Sequence, residues 1–145
     1  MTEEDGKTSP RQAATLAEVL GEVVYLMAKP ATHKFLFIAD LEWLVMPPVM
    51  LRQFRLWRQG STPLAFASWA FLSEEAESRL LNGVRRLPPQ DWNSGDRAWL
   101  MDVLAPDPQF AQRMVQELKQ GVFAGRPLKG LRPRENGQGS EVAEL

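Results

Sequence analysis

A single histidine, His33, stands in a 145-residue chain that contains no cysteine. With an ordinary pKa of ~6.5, imidazole is the side chain that takes up a proton most readily at neutral pH. His33 is therefore either a half-buried ring satisfied by a backbone partner or a general base. Asp102 is the second oddity, a carboxylate inside the apolar run Trp99–Leu104. Simple alternation puts Leu100 and Leu104 on its face, so it must find a partner or have its ionised form destabilised. It either caps a turn or pairs with an arginine such as Arg97, or else it orients a histidine and offsets the charge that the ring gains. The two residues lie far apart along the chain, so the sequence permits their contact without requiring it.

Other chemistries are poorly supplied. The lack of cysteine removes disulfides, thiolate metal sites and thiol nucleophiles, and one histidine leaves zinc short of ligands, so no metal is expected. There is no Walker loop, GxGxxG, GxSxG or HExxH. A net charge of −1 argues against a nucleic-acid module. Twelve arginines nevertheless outnumber five lysines. Arg52, Arg55 and Arg58 fall on one expected strand, Arg85 and Arg86 follow a helix, and Arg97 starts another strand. They form either solvated edges or a basic rim that steers an acidic partner protein. Five tryptophans imply a core or groove built around indoles.

The elements that must position these residues read as an α/β (α+β) order. A helix is expected over 14–28, with Thr15 or Ser9 as cap and Pro30 as stop. Residues 35–46 form a short helix or a strand, ended by Pro47-Pro48. A hairpin follows, with strands over 51–58 and 64–71 and a turn at Gly60-Ser61. Ser73 opens a helix that ends near Asn82-Gly83. Asn93 to Asp96 is a turn into a strand over 97–104, and a last amphipathic helix covers 109–120. Residues 1–12 and 132–145 are charged or small and read as disordered tails around one domain, 13–131. No stretch reaches the ~18 apolar residues of a membrane span and the first residues are acidic, so a soluble, cytoplasmic protein is expected.

Four stretches carry a resemblance: LGEVVYLMAKPATH (20–33), VMPPV followed by Gln53-Phe54, SWAFLSEEAE (68–77) and DWNSGDRAWLMDVLAP (91–106). Together they resemble the toxin-activating lysine acyltransferases, which fatty-acylate RTX-type haemolysin protoxins. The resemblance implies a GNAT-like fold, with a mostly antiparallel sheet flanked by helices, and a homodimer. It implies transfer of a fatty acyl group from acyl carrier protein, through its acyl-phosphopantetheine arm, to the ε-amine of an internal lysine. No cofactor is bound beyond that co-substrate. The family's essential histidine matches His33 and its functional aspartate matches Asp102. On this reading Trp69, Trp92 and Trp99 line the acyl-chain groove or its structural surround. Backbone amides at Asn93, Ser94 and Gly95 are candidates for holding the oxyanion, and the six arginines steer the donor. The chain departs from the family at Pro30, where a serine is common, at Lys34, usually arginine, and at Asp107-Pro108. Two other readings stay open: a non-catalytic adaptor for acyl carrier protein or toxin, and a GNAT-fold enzyme using acyl-coenzyme A and another amine.

Overall fold

The computed structural model describes residues 14–145, so the expected tail over 1–12 lies outside the described residues. Helix α1 (Leu16–Met27) opens on a capping box. The Thr15 hydroxyl accepts from the Glu18 amide at 3.1 Å, and the Thr15 amide donates to the Glu18 carboxylate at 2.7 Å. Val19, Val23 and Met27, spaced by four, form its buried stripe. Within 35–46 the regular structure is helical and begins at Ile38, as a 3-10 turn (Ile38–Asp40) and α2 (Leu41–Leu44), followed by α3 (Met46–Met50). Pro47-Pro48 was expected to end this element and instead begins α3. The first helical turn has amides without intrahelical acceptors, so prolines there forfeit no bond.

β1 (Phe54–Gln59) and β2 (Thr62–Leu72) form the expected hairpin, and α4 (Glu74–Leu81) follows on a Ser73 cap. β3 (Arg97–Leu104), α5 (Pro108–Gln120), β4 (Lys129–Pro133) and β5 (Ser140–Glu144) complete the chain. The sheet runs in order β1-β2-β3-β4-β5, antiparallel except for the β3–β4 pair. Residues 132–145, read as a disordered tail, instead carry the end of β4 and all of β5. The two strands pair from Lys129↔Glu144 to Pro133↔Ser140, and the Leu145 amide donates to the Leu128 carbonyl. An edge hairpin is held largely by its backbone ladder, so a composition poor in apolar residues hides it.

β2 divides the core by parity. Phe66, Ala70 and Leu72 pack against α1, α3 and α4, while Ala65, Ala67 and Trp69 pack against α5. A mostly antiparallel sheet with helices on both faces is the GNAT-like α+β arrangement. One irregularity matters for the site. Ser68 lies opposite Asp102 but Trp69 lies opposite Leu100, so Met101 is an extra residue in β3. This bulge breaks the alternation. Leu100 and Val103 pack on the α5 side, Met101 and Leu104 on the other. Leu100 therefore does not share a face with Leu104, as simple alternation had it.

Candidate active site

Pro30 stops α1, and its carbonyl accepts the amides of both His33 and Lys34, at 3.0 and 2.9 Å. The resulting tight turn swings the imidazole back over the sheet. There His33 Nε2 lies 2.9 Å from Asp102 Oδ1 and 3.2 Å from Oδ2, with both side chains only about a tenth exposed. Asp102 Oδ1 also accepts the Val103 amide at 3.0 Å, which fixes the carboxylate. A carboxylate only accepts, so Nε2 carries the proton and the neutral ring presents Nδ1 as its basic nitrogen. The Thr32 hydroxyl sits 2.7 Å from Nδ1. The lone histidine and the carboxylate of the apolar strand are thus brought together. Arg97, the alternative partner for Asp102, binds Glu77 instead at 2.6 Å.

An apolar groove of about 200 Å³ opens beside His33, walled by Val24, Met27, Leu36, Phe37 and Ile38. Phe37 and Ile38 are 78% and 86% exposed, which is unusual for such large apolar side chains. Asp40 pins this wall by accepting the Phe37 amide at 2.8 Å and the Trp43 indole N–H at 2.9 Å. The Trp43 indole and then the Phe37 amide hold the Asp40 carboxyl below its ordinary range. A second cleft, of about 480 Å³, runs from Tyr25, Lys29 and Pro30 to Leu104 and Pro106 at the end of β3. The Pro30–His33 turn stands between the two hollows.

The other expected site residues are placed differently. Trp69, Trp92 and Trp99 are buried in the core, and none borders the groove. Trp69 packs edge-on to Phe123 beneath α5, and the Trp99 indole donates to buried Glu77 at 2.7 Å. Burial alone would raise the Glu77 carboxyl, but Trp99, Arg97 and Lys129 together hold it below its ordinary value. The Asn93–Gly95 turn supports the sheet. The Ser94 and Gly95 amides both donate to the Phe71 carbonyl, at 2.8 and 3.0 Å, and Asn93 bridges to Phe71. Phe71 is three residues along β2 from the partner of Asp102, about 10 Å away. Two of the amides meant for an oxyanion are therefore engaged at a distance from His33.

Most of the arginine rim is also paired. Arg58 forms a two-pronged pair with Glu22, both contacts at 2.7 Å, and Arg86 lies 3.6 Å from Asp40. Arg85 donates to the Leu80 carbonyl, Arg55 lies over the Trp57 ring, and Arg52 stands exposed at φ 58°. Sequence reasoning passed over two hydroxyls. Thr32 carries no signal beyond preceding the histidine. Ser68 is fully buried opposite Asp102 with no hydrogen-bond partner for its hydroxyl. Among the described residues no group of three or more His, Asp or Glu is arranged to hold a metal, and no helix is long and apolar enough to cross a membrane.

A family model described as the RTX toxin acyltransferase family matches residues 12–145. The lysine-acyltransferase RtxC of Vibrio cholerae is 33% identical over 113 residues, covering 76% of this chain and 72% of that protein. The leukotoxin-activating lysine-acyltransferase LtxC of Aggregatibacter actinomycetemcomitans is 40% identical over 89 residues, 61% of this chain and 53% of that one. The match thus spans about half the length of that toxin-activating relative. An uncharacterized protein of Synechocystis sp., sll0720, is 28% identical over 123 residues, 83% of each chain. With the family model spanning every described element, from α1 through the turn that carries His33 to the closing hairpin, the chain belongs to the RTX toxin acyltransferase family.

Proposed function

We propose that this protein acts in the cytoplasm to move a fatty acyl group from the phosphopantetheine thioester of acyl carrier protein to the ε-amine of an internal lysine in an RTX-type protoxin, which it thereby activates. The observation that carries this reading is the His33–Asp102 contact at 2.9 Å beside an apolar groove. A lysine amine, with a reference pKa of ~10.4, is protonated at neutral pH and attacks an acyl carbonyl only once a base has taken a proton from it. His33 is that base. Asp102 fixes its tautomer and offsets the charge it gains. The groove formed by Val24, Met27, Leu36, Phe37 and Ile38 takes the acyl chain, where each buried methylene contributes about 0.8 kcal/mol. The second cleft gives the other substrate a separate approach to the same turn. The names of the relatives RtxC and LtxC support the lysine acceptor, and that of LtxC supports a toxin substrate.

The test is incubation of the full chain with an RTX-type protoxin and matched thioesters of acyl carrier protein and coenzyme A, followed by mass spectrometry of the protoxin. The expected result is an acyl-lysine formed from the carrier-protein donor and lost in His33→Ala. Acylation from coenzyme A alone would assign a different donor. Undiminished acylation by a folded His33→Ala variant would refute the mechanism.

A further inference from the structure

The His33 ring is engaged at both nitrogens. Nε2–H donates to Asp102, so the neutral ring can act as a base only through Nδ1, and Nδ1 already accepts the Thr32 hydroxyl at 2.7 Å. Direct attack by a lysine amine under His33 catalysis would require Thr32 to leave that position first. As it stands, the arrangement is a hydroxyl within reach of a base that a carboxylate orients, the constellation that activates a hydroxyl as a nucleophile. Thr32 is exposed, and the neighbouring turn residues Lys29 and Pro30 border the larger cleft while His33 borders the apolar groove. A thioester carbonyl can approach its oxygen from solvent. Ser68, the other hydroxyl at the site, is sealed in the sheet and cannot meet a donor.

We propose that Thr32 is a catalytic nucleophile that carries the acyl group as an ester between donor and lysine. The proposal rests on the acyl-transfer reading above and specifies its route. In the first step the Thr32 oxygen bonds to the thioester carbonyl carbon while its proton passes to His33 Nδ1. The carbon–sulfur bond breaks, and the imidazolium returns the proton to the departing thiolate, which leaves as the free thiol. In the second step the lysine amine attacks the ester carbonyl and His33 Nδ1 takes a proton from the nitrogen. The carbon–oxygen bond breaks, and the proton goes back to the Thr32 oxygen. Donor and acceptor change as in direct transfer, and the enzyme is regenerated. Asp102 stabilises the imidazolium in both steps.

The experiment mixes the full chain with a saturated fatty acyl thioester of acyl carrier protein and no amine, and follows free-thiol release and intact protein mass. A second arm adds n-butylamine, the lysine side chain without its backbone. The expected result is a mass gain of one acyl group per chain, mapping to the Thr32 peptide and removed by hydroxylamine, which cleaves esters and leaves amides. Thr32→Ser should keep the adduct. Thr32→Val, nearly the same shape without the hydroxyl, should lose it and lower transfer to butylamine about 100-fold. An adduct on His33 or on a lysine would overturn the proposal. Wild-type transfer without an adduct, matched by Thr32→Val, would overturn it too and leave the acyl-transfer reading standing. No thiol release from the wild-type chain in either arm would overturn both.

Discussion

Asp102→Asn tests the most closely constrained contact in the site. Both carboxylate oxygens lie within 3.2 Å of His33 Nε2, and Oδ1 also accepts the Val103 amide. Asparagine keeps the shape but replaces one oxygen by an NH2 donor. With its oxygen towards Val103, that donor lies about where Oδ2 was and faces the ring N–H. Turned over, it opposes the Val103 amide, which then loses its acceptor at a cost of about 1–3 kcal/mol. The ring relieves the first conflict by moving its proton to Nδ1, and there it no longer serves as a base. Loss of general-base assistance is worth about 10²–10⁴ in rate, or roughly 3–5 kcal/mol on the barrier. Thiol release from acyl carrier protein thioester should fall by that factor in kcat/KM, while the melting temperature stays near the wild-type value. A folded Asp102→Asn enzyme within about threefold of wild type would refute the tautomer argument.

Replacing Phe37 and Ile38 together by asparagine should spare a two-carbon donor and lower kcat/KM about tenfold or more for a long-chain donor, because methylenes lose apolar contact worth up to ~0.8 kcal/mol each. Equal losses with both donors would remove the groove assignment. The Glu77 carboxyl is held below its ordinary value of 4.5, so its contribution to stability is complete above pH 4.5 and is lost as pH falls through the depressed value. Wild type should therefore lose stability below pH 4.5 more steeply than Glu77→Gln in chemical denaturation, and parallel curves would contradict this. Gly95→Ala would place a Cβ 2.5 Å from the Leu72 carbonyl oxygen and 2.6 Å from the Ser73 Cα, both backbone atoms. Displacing the turn should cost about 1–3 kcal/mol and lower the melting temperature by several degrees, and an unchanged temperature would show that the turn yields freely.

The elements with strong periodicity were legible in the sequence. The strand expected over 97–104 is β3 to the residue, and α5 and the hairpin fall within three residues of their expected bounds. His33 and Asp102 stood out through incongruity, one as a lone residue type and the other as a charge among apolar neighbours. What the sequence concealed was non-local or depended on backbone detail. Pro47-Pro48 reads as a stop unless one knows that a helix starts there. The Met101 bulge shifts the phase of β3, so counting by twos misassigned Leu100. The indoles looked suited to a groove because size and aromaticity do not reveal which side of a sheet a residue faces. The arginines looked like a rim, but Glu22, Glu77 and Asp40 are the partners of three of the six, Arg58, Arg97 and Arg86. The Thr32 contact depends on how tightly the chain wraps after Pro30, which no spacing encodes.

The packing of α1 has a consequence for how activity would fail under stress. His33 hangs from the C-terminal end of α1, whose buried residues Val19, Val23 and Met27 belong to a different cluster from the Trp69–Met114–Leu118 core beneath α5. Asp102, in contrast, is built into the central ladder. Detaching the amino-terminal helical layer would separate base from carboxylate while the sheet and α5 stay folded. Catalysis would then disappear at milder denaturant than the strand amides begin to exchange, so enzyme assays would report the docking of some forty residues rather than the melting of the whole.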